Sequence, residues 1–292
     1  MGRTDVWAEW LRSRRSGGSE EQRRLLLEQL GPVRDKILGD AEVGPGDTVL
    51  DVGCGDGLVG LGALERGAEV IFSDVSEACL DDCRAIAGDG ARYVQASATG
   101  LGDLEADVVT TRSVLIYVDE KQRALDEFFR VLRPGGRLSI FEPINSFGCE
   151  ERRRTFGGFD VDGVEELVGK LWPDDDDVNR AMLDFDERDL LAFAERAGFT
   201  DVQLDYRAEI GRDVFKAPRD WDVFVNSSPN PLLPTFAETM AERLDPDEIG
   251  RVTAKLRPQV EAGAMRGRFA KAFLLARKTT GIASGGCETA GR

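Results

Sequence analysis

The run Val49-Leu50-Asp51-Val52-Gly53-Cys54-Gly55-Asp56-Gly57 sets a short apolar, partly β-branched segment directly before three alternate glycines, and a helix-forming segment follows. Glycines in such a turn allow positive φ and let the backbone approach a ligand closely. The helix start adds unpaired N–H groups and partial positive charge. Asp74 closes the next apolar run, about 20 residues on, where a carboxylate can accept hydrogen bonds from both hydroxyls of a ribose. Together these residues predict a site for an adenosine-containing cofactor at the carboxyl edge of a parallel sheet.

Two cofactor classes fit the glycines. Gly55-x-Gly57-x-x-Gly60 satisfies the dinucleotide fingerprint, so a nicotinamide-dependent oxidoreductase is one reading. Asp51 opposes it. A negative charge just before the turn repels a pyrophosphate but attracts an ammonium or sulfonium group. The long helix expected before the first strand is also unnecessary for a dinucleotide fold.

Composition narrows the chemistry further. The chain has 292 residues, no histidine, five cysteines and a formal net charge of -16. The absence of histidine removes Ser-His-Asp and Cys-His catalysis, histidine metal sites and the usual base near neutral pH. The acidic balance disfavours a sequence-wide nucleic-acid surface, because it repels phosphate backbones. The cysteines are Cys54, Cys79, Cys83, Cys149 and Cys287, with no C-x-x-C pair, and read as reduced thiols of a cytoplasmic protein. Cys79 and Cys83 stand four apart on an expected helix, either as small core side chains or as two ligands of a soft metal. No apolar run reaches the roughly 18 residues of a membrane span. The first residues lack an uninterrupted apolar stretch and do not read as a secretory signal.

The elements that must position these groups follow from periodicity. Ser19 with Gln22 predicts a capping box at the start of a helix reaching about Leu38. Strands are expected at Thr48–Val52, Val70–Ser73, Arg92–Ala96, Val108–Thr111 and Leu138–Phe141. A helix over Glu77–Ala87 falls between them. Another is capped by Asp119, carries Leu125, Phe128, Phe129 and Leu132 on one face, and is stopped by Pro134-Gly135-Gly136. Such alternation predicts an α/β fold with a parallel sheet covered on both faces. A further helix ends at Gly198, a strand-like segment covers Val202–Tyr206, and Phe269–Ala276 is the last strand. The acidic run Asp174–Asp177 reads as loop charge rather than a cation site.

At this point the chain resembles the class I S-adenosylmethionine-dependent methyltransferases, of the Rossmann-like, small-molecule type. Asp51-Val52-Gly53-Cys54-Gly55-Asp56-Gly57 is similar to their first motif. Asp74 with Val75 is similar to their ribose-binding acid and the apolar residue that packs on adenine. Arg130-Val131-Leu132-Arg133-Pro134-Gly135-Gly136-Arg137-Leu138 is similar to their motif leading into the fifth strand. The resemblance covers about residues 45 to 143, and more weakly Ala197-Gly198-Phe199 and Ala272–Lys278. It implies a seven-stranded, mostly parallel sheet with a reversed last strand. It implies S-adenosylmethionine as cofactor, with S-adenosylhomocysteine as product, held by Asp51, Gly53, Cys54, Gly55, Gly57, Asp74 and Val75. It also puts Ser97 where many members carry an acid near the adenine amino group, which leaves that contact to a hydroxyl or to backbone groups near Ala98.

The same layout implies that Arg112, Ser113 and Glu142 face the transferred methyl. Arg112 then clamps a substrate carboxylate or contacts the cofactor, or else forms a salt bridge that positions a loop. Glu142 accepts a proton or binds an amine, or else caps the following loop. Tyr117 is expected to pack. The implied organisation is an N-terminal helical lid over 1–40 and a cofactor-binding core over 41–143. A cap insertion spans 144–185, the end of the core spans 186–278 with a substrate lid at 211–267, and a disordered tail spans 279–292. Trp221, Phe224, Val225, Leu232, Leu233 and Phe236 either line an apolar substrate pocket or close a small satellite core. Arg12, Arg14 and Arg15 read as a solvated helix end. The expected reaction is methyl transfer to oxygen or nitrogen of a small, partly apolar specialised metabolite, with carbon methylation open. The expectation includes no nucleic-acid partner, no membrane span, no metal and no fixed oligomeric state. The rival readings are the oxidoreductase and a non-catalytic S-adenosylmethionine-binding protein.

Overall fold

A computed structural model describes residues 5–172, 177–212 and 217–280. In chain order the elements are α1 (Val6–Arg12), α2 (Glu20–Asp40), β1 (Thr48–Val52), α3 (Leu58–Glu65), β2 (Glu69–Asp74), α4 (Glu77–Ala87) and β3 (Arg92–Gln95). Next come β4 (Ala106–Arg112), α5 (Lys121–Val131), β5 (Leu132–Pro143), α6 (Cys149–Arg154), α7 (Glu165–Gly169), α8 (Asp177–Leu183) and α9 (Glu187–Ala197). The last are β6 (Thr200–Arg212), α10 (Trp221–Asn226), α11 (Phe236–Arg243), α12 (Pro246–Glu261) and β7 (Arg266–Arg277).

The strands form a seven-stranded sheet in the order β3-β2-β1-β4-β5-β7-β6. β1 to β5 pair in parallel, and β7 runs antiparallel to both β5 and β6, as the expected reversed strand. Strand alternation sends neighbouring residues to opposite faces. Leu50, Val52 and Ile71 join a core with Leu125, Phe128, Leu190 and Ala194 from α5 and α9. Val49, Val70 and Phe72 join another with Ile37, Leu38, Val59, Ala63, Leu80 and Cys83 from α2, α3 and α4. Buried on both sides, the central strands need the continuous apolar runs that the sequence shows.

Several local expectations are corrected. Ser19 caps α2 by accepting from Gln22 N–H at 3.2 Å, without a reciprocal bond from the Gln22 side chain. Asp119 does not cap α5, which starts at Lys121 after Glu120. That start is fixed by Lys121, 3% exposed, whose Nζ donates to Val118 O and Asp184 Oδ1. Pro134-Gly135-Gly136 does not stop α5 either, since the helix already ends at Val131 and these residues lie within β5. Gly135 N–H donates to Lys278 O and Lys278 N–H to Gly136 O, which draws the turn into the sheet. Lys278 Nζ donates to Phe129 O and Leu132 O, putting its cation on the carbonyl end of α5.

β6 and β7 pair as far as Arg212 and Arg266, so both strands reach into the stretch expected as a lid. The two insertions are not independent. Phe159, Val164, Leu167 and Leu171 of the first pack with Trp221, Val225, Met240, Val252, Leu256 and Val260 of the second in one satellite core. Leu232 stays half exposed. The Asp174–Asp177 run and Cys287 lie outside the residues whose side chains are described, as does most of the tail from residue 279. Among the described residues no helix is long and apolar enough to cross a membrane.

Candidate functional site

The parallel strands β1 to β4 deliver their carboxyl ends to one edge, where ligands of open α/β sheets bind. Gly53, Gly55 and Gly57 form the turn after β1 at φ 66°, 53° and 78°. A Cβ at Gly53 would also stand 2.4 Å from Val114 Cγ2. Gly53→Ala is therefore expected to cost at least about 1–2 kcal/mol through the left-handed backbone alone. Chemical denaturation against wild type measures that loss. Gly60 serves packing, since a Cβ there would fall 2.3 Å from the Phe72 ring and push α3 off β2.

Asp51 is 2% exposed and occupied within the protein. Its Oδ2 accepts from Gly60 N–H at 2.9 Å and its Oδ1 from the Thr110 hydroxyl at 3.0 Å. Burial pushes its pKa up to about 7 despite those bonds. The carboxylate thus ties α3 to β1 and β4 behind the turn. Asp74, at the end of β2, accepts from Gly55 N–H at Oδ2 and from Ser76 N–H at Oδ1, both at 2.9 Å. Two carboxylate oxygens offer about four acceptor sites, so these two bonds do not exhaust Asp74. Burial raises the Asp74 pKa above the usual aspartate value. Beside it Val75 is 51% exposed, an apolar side chain left in the open at the sheet edge.

After β3 the chain turns at Ser97. Ser97 Oγ lies 3.0 Å from Thr99 Oγ1 and accepts from Thr99 N–H, so the hydroxyl serves its own turn. The Ala98 side chain is buried in the core with Leu101 and Leu104. Cys79 and Cys83 do not pair with each other. Cys83 Sγ lies 3.8 Å from Cys54 Sγ and 3.5 Å from Gly55 O, beneath the glycine turn. Among the described residues no cluster suits a metal ion.

Glu142 is fully buried and takes the capping role. Oε1 accepts from the Val114 and Leu115 N–H groups at 2.9 Å, and Oε2 from Ile116 N–H at 3.3 Å. This fixes the start of the short 3-10 helix Leu115–Tyr117. With no exposed surface, Glu142 acts on a ligand only through the turn it holds, which includes Ser113 at φ 57°. Burial pushes its pKa up to about 7, against the lowering effect of the three N–H donors. Tyr117 packs edge-on against Trp7 at 4.9 Å between ring centres. Tyr117 and Lys121 also stand at Tyr-x-x-x-Lys spacing, a pattern used in hydride chemistry. The Lys121 ammonium, however, is committed to Val118 O and Asp184.

The N-terminal segment supplies groups that periodicity did not reveal. Asp5 caps α1 and accepts from Ser76 Oγ at 2.7 Å, joining α1 to the residue after Val75. Leu11 lies over the glycine turn, 3.2 Å from where a Gly55 Cβ would be. Of the three arginines, Arg12 is the solvated helix end expected, 53% exposed at the last turn of α1, and Arg15 is not. Arg12 pairs with Asp82 and Arg14 with Glu238, each through two nitrogens. Arg15 turns inward under Trp10, its guanidinium 5.1 Å from the ring centre. Burial first, then the charge of Arg112, lowers its pKa to about 10. Arg112 lies 3.8 Å from Asp56 Oδ1, an ion pair too long for a hydrogen bond. Asp56 Oδ1 is buried with no hydrogen-bond partner. The signal for Asp56 was its place inside the glycine turn. For Arg15 there was none, because its contacts are remote in sequence.

The glycine turn and Asp74 thus stand together on the carboxyl edge of a sheet with one reversed strand. Residues 50–140 match the family model described as a methyltransferase domain. The strands and helices of that segment have the Rossmann-like fold. The chain is 35% identical over 130 residues to an uncharacterized protein of Mycobacterium tuberculosis, covering 43% of this chain and 45% of that one. It is 40% identical over 101 residues to demethylmenaquinone methyltransferase of Clavibacter sepedonicus, covering 33% and 41%. It is 30% identical over 135 residues to tRNA 5-carboxymethoxyuridine methyltransferase of Escherichia coli, covering 43% and 51%. The chain thus spans about half or less of these relatives' lengths. A crystal structure assigned as a methyltransferase from Bacillus halodurans C-125 shares the fold at TM-score 0.53 and 20% identity, covering 85% of this chain and 99% of that one.

Proposed function

We propose that the chain is an S-adenosylmethionine-dependent methyltransferase acting on a small, partly apolar acceptor through oxygen or nitrogen. The observation that carries this reading is the left-handed Gly53-Gly55-Gly57 turn bonded to Asp74, whose spare acceptor sites stand beside the exposed Val75. The donor set fits the cofactor in sequence along the edge. Asp74 takes the ribose hydroxyls, Val75 packs on the base, and the turn admits the chain leading to sulfur. Ser97 and Ala98 contribute backbone groups at the base. When bound, the cofactor supplies a methyl carbon already activated by its sulfonium charge.

The protein's part is then to orient the acceptor and exclude water. Asp51 and Glu142 hold the turns after β1 and β4 rigid from behind, and Tyr117 with Trp7 closes the site above. With no histidine in the chain, the acceptor atom is one that needs little deprotonation, such as a phenolate, carboxylate or neutral amine. The relatives include a quinone-precursor enzyme and a tRNA enzyme. The net charge of -16 favours the small acceptor over a polyanion. The free thiols Cys54 and Cys83, in contact but unbonded, accord with a reducing, cytoplasmic setting.

The segment 1–40 and the insertions are read as a roof over this edge. Between α1, α2 and the turn, the hollow bounded by Leu11, Arg15, Ser16 and Asp56 measures only about 10 Å³. α1 is held by Asp5 on Ser76, Arg12 on Asp82, Trp7 on Tyr117 and Trp10 Nε1 on Ser228 O.

The test is incubation of the full chain with S-adenosylmethionine and a panel of phenols, carboxylates, amines and bulk tRNA, with S-adenosylhomocysteine read by mass spectrometry. Turnover with a small acceptor is the expected result. Turnover with tRNA alone overturns the acceptor assignment. Saturable binding of a nicotinamide dinucleotide without binding of S-adenosylmethionine overturns the whole reading. Binding without turnover on any acceptor leaves the non-catalytic alternative standing.

A further inference from the structure

Asn230, in the second insertion, is 2% exposed, and its amide is poorly partnered. Its Oδ1 accepts from Leu232 N–H at 2.8 Å, which fixes the end of the amide that is oxygen. Its Nδ2 donates to Met182 Sδ at 3.0 Å and, among the described residues, to nothing else. An amide nitrogen carries two donors, and a thioether sulfur is a weak acceptor. Burying such a group on so poor a partner costs free energy that an apolar side chain would spare. The loop nevertheless holds it in place. Ser228 Oγ reaches Asn230 O at 2.6 Å and Leu233 O at 3.1 Å, and Pro229, Pro231 and Pro234 each fix a backbone angle. The surroundings tie this loop to the candidate site. Met182 packs at the margin of the core that holds Leu115 and Ile116, and α8 lies against the 3-10 turn that follows β4. Trp10 Nε1 donates to Ser228 O at 2.6 Å, and Ser228 N–H to Arg14 O at 2.8 Å. Both insertions and the N-terminal segment therefore meet around Asn230.

We propose that Asn230 determines acceptor specificity, its Nδ2 donating to a carbonyl oxygen on the methyl acceptor while the Met182 side chain gives way. This inference rests on the function proposed above and names the acceptor class: an apolar body with an uncharged carbonyl oxygen, separate from the atom that receives the methyl. A thioether on an unbranched side chain with three rotatable bonds is readily displaced. The oxygen is uncharged because the group facing it is a neutral amide, and a carboxylate buried there would lack a counter-charge. An acceptor without the carbonyl leaves the amide on sulfur, so it forgoes one hydrogen bond and meets no clash. Discrimination is then set by that one bond, roughly 10-fold.

The test uses the full chain, S-adenosylmethionine and matched acceptors: 4-hydroxyacetophenone against 4-ethylphenol, and 4-aminoacetophenone against 4-ethylaniline. The quantity read is the ratio of kcat/KM for the carbonyl member to that for its alkyl partner, from S-adenosylhomocysteine formed. Intrinsic differences in nucleophile strength are the same for wild type and variant, so they cancel when the two ratios are compared. In Asn230→Leu the ratio should fall roughly 10-fold. Asn230→Asp, isosteric and acceptor-only once ionised, keeps the bond from Leu232 N–H and should show the same fall. It guards against a folding defect in the leucine variant. A purely structural asparagine would lower both members of a pair together, so an unchanged ratio in these variants overturns the assignment. No turnover of either carbonyl acceptor by a chain that binds S-adenosylhomocysteine in calorimetry overturns the acceptor class. Failure of the wild-type chain to bind S-adenosylhomocysteine overturns the functional reading instead.

Discussion

Asp74→Ala should weaken S-adenosylhomocysteine binding by about 2–4 kcal/mol, the value of one or two charge-assisted hydrogen bonds. The carboxylate has two tasks. It holds Gly55 N–H and Ser76 N–H, and under the proposed function its remaining acceptor capacity takes the ribose hydroxyls. Removing it loses the ribose bonds and loosens the turn that admits the ligand. Asp74→Asn separates the tasks, because the amide retains one acceptor oxygen and turns a donor toward one of the two N–H groups. Its affinity should fall between wild type and alanine. Calorimetric affinity unchanged in Asp74→Ala would contradict the ribose assignment.

Glu142→Ala should be the most destabilising single change in the site. It strips the N–H groups of Val114, Leu115 and Ile116, the last two buried, of their acceptor. Each orphaned buried group costs about 1–3 kcal/mol, so a loss on the order of 3–5 kcal/mol in urea denaturation is expected. Glu142→Gln should cost less, because one carbonyl oxygen can still serve Val114 and Leu115.

The pH dependence gives an independent check. Burial raises the folded pKa of Glu142 from the usual 4.5 to about 7. Below pH 4.5 the group is protonated in both states and contributes its full stabilisation. Between those values the folded state keeps a proton that the unfolded state has released, so stability falls as pH rises. Wild type should lose up to about 3 kcal/mol relative to Glu142→Gln across that window, and no more above it. Parallel pH profiles for the two proteins would refute the assignment. Asp51, raised to about 7 by the same cause, adds a loss of the same sign to both proteins and cancels in the comparison.

Much of the fold was legible because it is written in local periodicity. The apolar runs of β1, β2 and β4, the helix from Glu77 to Ala87 and the Gly198 stop all follow from neighbours in sequence. The glycine turn and Asp74 were legible for a similar reason. Positive φ and close approach demand glycine, and the next strand's end fixes where an acid must stand. Where the reading failed, the deciding contact was distant. Asp119 lost α5 to the Lys121–Asp184 pair, and Pro134-Gly135-Gly136 was drawn into β5 by Lys278.

By itself, then, the sequence determined the parallel α/β core, the reversed last strand through its resemblance, and the glycine-and-acid edge. All of these depend on residue type and short spacing. Only the tertiary structure decided what the charged groups do. It turned Glu142 from a candidate base into a buried cap and joined the two insertions in one apolar core. It also brought Arg15 beside Arg112 and Asp56. A carboxylate's role depends on whether water or backbone N–H groups surround it, and a guanidinium's on which charge it meets across the chain. Neither is encoded within a turn of helix or a strand's length; both arise when segments far apart in sequence are packed against one another.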